Sequence, residues 1–209
     1  MEINDEILKA VAVKSMLNAQ SLMLDADILR EAKRYQRAYA LYQFAMEEVG
    51  KALSSVMLLV LIDPNEEDIK KYKNGFFKHP YKIKKSSSLD MLICQFLYKG
   101  NFEKAKEFLE LSISENENYL DEQKNKCLYT AIIGKTVMMP SEMVHEKSMN
   151  YIWHRVFTRY EMAQPIVNIL LKHYGEMREY QKENGSIKNM SIDMESAAKE
   201  FWNDILAED

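Results

Sequence analysis

A nearly uncharged stretch of 25 residues, 38–62, constrains the fold of this chain most strongly. Only Glu47, Glu48 and Lys51 carry charge within it, and the other residues are apolar, aromatic or small. A helix that is apolar on most faces is typical of a protein core or of an oligomer interface. The longest uninterrupted apolar run, 56–62, has seven residues, whereas a membrane span needs about 20. We therefore expect a buried helix and no membrane anchor.

The scarcity of glycine and proline argues against a fold built from β-hairpins. The chain has 6 glycines and 4 prolines among 209 residues, about half of their usual share. Hydrophobic residues make up 47% and charged residues 29%, which is enough to form a sizeable core. The absence of a basic and then apolar leader predicts a cytoplasmic protein. The fold class we expect is all-α, a helical bundle with a long central helix pair and additional C-terminal helices.

Periodicity and capping residues divide the chain into elements. A first helix is predicted from Asn4 to about residue 25, and a second from about 29 to 62, where Asp63-Pro64 ends it. Residues 63–88 lack sustained periodicity and contain Pro64, Gly75 and Pro80, which predicts a loop with at most one helical turn. Three further helices are predicted at 89–97, 102–109 and 114–127, followed by a short strand or extended connector at 128–133. A long helix is predicted at 147–183, with a kink or restart at Pro165, and a last helix after Ser191. We expect residues 1–185 to form one domain, with 186–209 a C-terminal amphipathic helix that completes the bundle or docks a partner.

The positive charge is concentrated in one segment, residues 70–85. This segment carries a formal charge of +7 and no acidic residue, in a chain whose net charge is −4, so the rest carries −11. A dense basic segment on an acidic body is typical of a surface that binds a polyanion. A solvated, lysine-rich loop is the alternative. The basic residues are Lys70, Lys71, Lys73, Lys78, Lys82, Lys84 and Lys85.

The three charges of the second helix form a possible cluster. Lys51 follows Glu47 by four residues and Glu48 by three, so it can reach either carboxylate. Arg37 lies eleven residues before Glu48, on nearly the same face of a helix. Two interpretations stay open at this point. The cluster is either a structural ion network that fixes helix register or a catalytic or ligand site, since buried ionisable groups concentrate at functional sites.

Two segments together resemble the AbiV abortive-infection proteins. The first, 37–51, reads RAYALYQFAMEEVGK, and the second, 76–82, reads FFKHPYK; the family pattern is a helix with EE-x-GK followed by F-x-x-H-x-x-K. The resemblance covers roughly residues 10–145. It implies the HEPN superfamily, whose members are all-α bundles, usually dimeric, that act as prokaryotic toxins and antiviral effectors. It further implies phage resistance by shutdown of the infected cell, with RNA or translation as the target.

Many HEPN proteins are metal-independent endoribonucleases, and the residues for such chemistry are present. The usual HEPN signature, an arginine followed after four to six residues by histidine, is replaced here by His79-Pro-Tyr-Lys82. Metal-free RNA cleavage needs a base, an acid and cations that stabilise the phosphorane. We expect His79 to transfer the proton, Glu47 or Glu48 to orient it or act as base, and Lys51 and Lys82 to bind the phosphate. RNA would be held by Arg37, Lys70, Lys71, Lys73, Lys78, Lys84 and Lys85, with no metal and no cofactor.

Two alternatives belong to other functional classes. A non-catalytic effector would use the same residues to sequester RNA or dock a protein. A ferritin-like metal enzyme would use Glu142 and His145 as a Glu-x-x-His motif, although such sites need two copies and the chain holds one. The expected partners are a second copy bound through the apolar second helix, an RNA (tRNA, rRNA or mRNA) and a phage-encoded activator protein.

Overall fold

The computed structural model describes residues 3–62, 64–87, 89 and 117–185. These residues form an all-α structure with one small hairpin of strands, which confirms the predicted fold class. The predicted helix at 89–97 beyond its first residue, the predicted helices at 102–109 and after Ser191, and the segment 186–209 fall on residues outside this description. The described elements are α1 (Asp5–Glu31), α2 (Tyr35–Leu59), α3 (Glu66–Phe76), α4 (His79–Ser87), α5 (Glu117–Leu128), β1 (Ala131–Ile133), β2 (Thr136–Met138), α6 (Pro140–Met143) and α7 (Glu146–Asn184).

Helices α1 and α2 form the long central pair. Asn4 caps α1 as predicted, because its Oδ1 accepts a hydrogen bond from the Ile7 amide at 2.9 Å. The helix continues to Glu31, beyond the expected end near residue 25, and Lys33 turns the chain with a φ of 57°. The two helices pack closely because each buries alanines at seven-residue intervals in one shared core. These alanines are Ala12, Ala19 and Ala26 of α1 and Ala38, Ala45 and Ala52 of α2.

The apolar helix α2 is the centre of the bundle. Of its 25 residues, 17 are buried, and α1, α4, α5 and α7 all pack against it. Its apolar character therefore comes from burial within one chain. That a second copy binds through this helix stays a prediction, and packing of the chain's own helices around α2 accounts for its apolar surface without one.

Residues 63–88 are not the predicted loop, since they contain α3 and α4. Asn65 caps α3 by accepting a hydrogen bond from the Asp68 amide at 2.9 Å. The apolar side chains that anchor α3 are Tyr72, which is buried, and Phe76, which packs against the same small cluster. They have helical spacing but stand among lysines. Pro80 lies in the first turn of α4, where its missing amide hydrogen costs nothing. The lysines between these apolar residues weaken the helical pattern of hydrophobicity, so the sequence alone does not predict α3 and α4.

The C-terminal half follows the predictions more closely. Helix α5 ends at Leu128, near the expected position, and β1 pairs with β2 in an antiparallel hairpin with Ala131 opposite Met138. Helix α7 runs through Pro165 without restarting and ends at Gly185, whose φ of 69° suits glycine. No helix among the described residues is long and apolar enough to cross a membrane.

Candidate functional site

The centre of the site is the carboxylate of Glu47, which is only 2% exposed. Its Oε2 lies 2.5 Å from His79 Nδ1 and 2.9 Å from Lys82 Nζ. Its Oε1 lies 2.8 Å from Lys124 Nζ, which in turn lies 2.7 Å from Asp121 Oδ1. We refer to these five residues as the Glu47 cluster. It joins three helices, because α2, α4 and α5 each contribute to it.

Local sequence explains how the three helices converge. His79 and Lys82 are three residues apart on α4, and Asp121 and Lys124 are three apart on α5, so each pair shares a helix face. Gly50, one turn after Glu47, lets α4 lie directly on α2. A Cβ atom at Gly50 would stand 1.9 Å from the Lys82 carbonyl oxygen. The glycine of the EE-x-GK pattern is therefore required by the approach of α4.

The electrostatics of the cluster keep Glu47 charged. Burial by itself raises the pKa of the Glu47 carboxyl, but hydrogen bonds from Lys124, Lys82 and His79 outweigh burial and bring its pKa below the ordinary value. Lys82 and Lys124 are almost as buried as Glu47. A buried carboxylate with several donors is stable only while those donors remain in place.

His79 is the member of the cluster that solvent can reach. Its side chain is 46% exposed, although its Nδ1 is bound to a buried carboxylate. That contact fixes the orientation of the imidazole ring and leaves Nε2 as the nitrogen not engaged with Glu47. A histidine oriented through one nitrogen by a carboxylate is the usual arrangement for proton transfer through the other.

Glu48 and Lys51 belong to a different face of α2. They form an ion pair with each other, and the Lys51 ammonium lies 5.3 Å from the centre of the Phe76 ring. Both line a cleft against α1, together with Lys14 and Asn18. Of the five residues expected to be catalytic, Glu47, His79 and Lys82 are thus brought together, while Glu48 and Lys51 form a separate pair.

The residues expected to bind RNA are also divided. Arg37 is exposed and lines a cleft with Phe44 and Leu128, rather than joining Glu48. Lys71 is exposed but paired with Glu67 at 2.8 Å. The buried lysine of the segment is Lys82. Exposed positions are held by Lys70, Lys71, Lys78 and Lys84, and partly buried ones by Lys73 and Lys85.

Three residues of the site carry no signal in the sequence. Asp121 and Lys124 look like an ordinary surface pair of a polar helix, since they are three residues apart. Arg159 of α7 is fully buried, and its Nη1 donates to Ser86 Oγ at 3.1 Å and to Met46 Sδ at 3.4 Å. It therefore links α7 to the helices that carry Lys82 and Glu47. Only contacts between distant segments identify these roles.

Among the residues that the structure describes, two sets are candidates for metal ligation. Ligand atoms of Glu47, His79 and Asp121 lie within 4.8 Å of one another. A cation there would have to displace a lysine from Glu47, so the donor set suits an ion-pair network better. Glu142 and His145 do not form a helical Glu-x-x-His motif, because α6 ends at Met143 and Glu142 Oε2 accepts from the Met139 amide at 2.7 Å. The geometry that a ferritin-like site requires is therefore missing here.

Comparison with known proteins identifies the family. No curated protein and no solved structure matches the chain. The family model of AbiV matches residues 7–161, which include nearly all of α1, the elements from α2 to α6, the Glu47 cluster and the Glu48–Lys51 pair. This match spans well over half of the chain. The protein therefore belongs to the AbiV family of abortive-infection defence proteins, within the HEPN superfamily.

Proposed function

We propose that this protein is a cytoplasmic abortive-infection effector that stops translation by cleaving RNA without a metal ion. The observation that supports this proposal most directly is the contact of His79 Nδ1 with the buried Glu47 carboxylate, on a ring that remains 46% exposed. The lysine-rich helices α3 and α4 flank this histidine, because α4 begins with it. An oriented histidine beside a basic surface matches the needs of RNA cleavage.

The proposed reaction uses His79 for proton transfer. Its Nε2 accepts the proton of a ribose 2′-OH, whose oxygen attacks the adjacent phosphorus to form a 2′,3′-cyclic phosphate. The bond from phosphorus to the 5′-oxygen breaks, and the 5′-oxygen takes up a proton from water. Glu47 is a positioning residue, since it holds the Nδ1 side and stabilises the imidazolium that forms. General acid–base catalysis of this kind contributes about 10²- to 10⁴-fold in rate.

Binding of the RNA backbone is assigned to the exposed lysines of the basic segment. Lys78 is adjacent in sequence to His79, and Lys70 and Lys84 extend the same segment in both directions. Lys82 and Lys124 have another role in this proposal, because both are buried against Glu47 and keep it charged. Contacts between lysines and phosphates make affinity strongly dependent on salt.

A non-catalytic effector is the second candidate. It is favoured by the saturation of Glu47 with basic partners and by the replacement of the usual HEPN arginine–histidine signature. In that case the exposed lysines would hold tRNA, rRNA or mRNA without cleaving it. In both versions we propose that a phage-encoded protein activates the effector and that two copies of the chain associate.

The deciding experiment incubates the purified protein with total RNA and with tRNA, with and without a chelator. His79→Ala is the test variant, and His173→Ala is its control, since His173 is a partly exposed histidine on α7 that also pairs with a glutamate, Glu176, at 3.2 Å. We expect cleavage that survives the chelator, falls at least about 100-fold in His79→Ala and persists in His173→Ala.

The other outcomes separate the two candidates. Salt-dependent binding without cleavage, unchanged in His79→Ala and lost when Lys70, Lys78 and Lys84 are changed to glutamate, would favour sequestration. Cleavage abolished by the chelator would contradict the metal-free mechanism. If the protein alone is inactive, the same assay is repeated with extract of phage-infected cells, where the His79 dependence must reappear.

A further inference from the structure

Helix α1 carries a second apolar stripe on the side that faces away from the bundle. Its core side is formed by buried residues such as Ala12, Ala19 and Ala26. On the opposite side, four large apolar residues are exposed by about half or more. They are Val13 (46%), Leu17 (59%), Leu24 (60%) and Ile28 (66%). Solvent-exposed helices usually avoid such a continuous stripe, and its presence indicates an interaction surface.

The spacing of this outer stripe fits another helix. Its members are separated by four, seven and four residues, which keeps them on one face of α1. Val13 and Ile28 lie equally far from the midpoint between Gln20 and Ser21, and so do Leu17 and Leu24. When two copies of α1 run antiparallel about a two-fold axis at that midpoint, Val13 meets Ile28 and Leu17 meets Leu24. Such self-complementarity is what an isologous interface requires.

The charges beside the stripe select the antiparallel orientation. Lys14 and Asp25 are eleven residues apart, about three helical turns, and therefore lie on the same edge of the stripe. Both are exposed. Antiparallel pairing places Lys14 of one copy near Asp25 of the other, twice per dimer. In a parallel two-fold pair this edge of the two copies lies on opposite sides of the interface, so Lys14 of one copy does not meet Asp25 of the other.

We propose that the outer stripe of α1 is the surface through which two copies of this chain pair antiparallel. This inference specifies the association of two copies proposed above, and it does not depend on RNA cleavage. The stripe from Val13 to Ile28 is about 22 Å long at 1.5 Å per residue. An interface of this size is at the small end for stable complexes, so we expect a dimer that dissociates on dilution.

Sedimentation of the full-length chain over a range of concentrations tests the surface. Leu17→Glu is expected to weaken association at least about tenfold, because it buries a charge in the pairing face. Met57→Glu is the control, since Met57 is 54% exposed on α2 outside the stripe. Lys14→Glu and Asp25→Lys should each weaken association about two- to fivefold, and the double variant should restore it.

Disulfide trapping tests the register. In a chain whose Cys94 is replaced by serine, a Leu17→Cys copy mixed with a Leu24→Cys copy should form a cross-linked dimer. The native Cys127 does not interfere, because it is buried and burial raises the pKa of its thiol to about 12. Leu17→Cys alone should not cross-link, since two such residues would be about 10 Å apart along the axis.

Several results would overturn the inference. They are a chain that stays monomeric at all concentrations, a dimer unaffected by Leu17→Glu, and self-linking of Leu17→Cys. A monomer whose outer stripe is protected from hydrogen exchange would show that residues of the same chain cover the stripe. RNA cleavage is measured on the same samples, so a failure of pairing and a failure of the catalytic proposal are distinguishable.

Discussion

Glu47 and Glu48 are adjacent on α2, but their surroundings differ in origin. Glu48 pairs with Lys51 of the same helix, three residues away. Glu47 is buried and contacts His79, Lys82 and Lys124, which lie 32 to 77 residues further along the chain. The first pair needs only a helix, whereas the second set needs three packed helices. A local ion pair is thus readable from spacing, and a long-range cluster depends on tertiary packing.

The largest expected change in the free energy of unfolding comes from removing the charge of Glu47, and the same change at Glu48 is its comparison. Glu47→Gln leaves the buried Lys82 without its carboxylate and Lys124 with Asp121 alone, and it should lower the free energy of unfolding by about 3–5 kcal/mol. Glu48→Gln should cost less than Glu47→Gln, since Glu48 has one partner on its own helix and both side chains of that pair keep some contact with solvent. Urea denaturation of both variants measures the difference. Equal losses would show that packing does not distinguish the two carboxylates.

The next largest change in stability is expected from replacing Gly50, the glycine that lets α4 pack directly on α2. Gly50→Ala places a methyl group against the Lys82 carbonyl, so α4 must shift, at a cost of about 1–3 kcal/mol. Gly175→Ala is the matched control, because a Cβ there meets nothing within 4 Å inside α7. That variant should gain up to about 1 kcal/mol. Thermal unfolding of both variants gives the comparison, and a neutral Gly50→Ala would contradict close contact between the helices.

The free energy of unfolding should depend on pH in part through the ionisation of Glu47. Because its folded pKa is lowered, its contribution is fully present above the ordinary value near 4.3 and is lost as the pH falls through the folded pKa. The free energy of unfolding of the native chain should therefore decline below about pH 4.3. In Glu47→Gln this part of the decline should be absent. Denaturation at a series of pH values measures it, and parallel curves would exclude Glu47 as the source.

The smallest expected effect on stability comes from His79. Its side chain is nearly half exposed, and Glu47 keeps its two lysines without it, so His79→Ala should cost about 1 kcal/mol or less. The same variant should lose RNA cleavage, as described above. Urea denaturation of His79→Ala and His173→Ala should give similar midpoints. A loss as large as that of Glu47→Gln would make His79 a structural member of the cluster.

The elements that the sequence predicted well are those with local signals. Asn4 as a cap, Gly185 as a C-terminal stop and the apolar α2 were all recognisable, because capping and periodicity act within a few residues. Residues 63–88 were misread as a loop, since lysines alternate there with the apolar residues that define α3. The candidate site was predicted in part. Glu47, His79 and Lys82 do meet, while Glu48 and Lys51 form their own pair.

By itself, the sequence determined the all-α class, the buried central helix and the AbiV resemblance, because composition, periodicity and the EE-x-GK and H-x-x-K spacings are properties of short segments. Only the tertiary structure decided which glutamate is the centre of the site. It also decided that α4 of the same chain supplies the histidine, and that Lys124 and Arg159 support the arrangement. The physical reason is burial. A charge becomes part of a site when packing removes it from water and leaves it only a few partners, and those partners come from segments far apart in the chain.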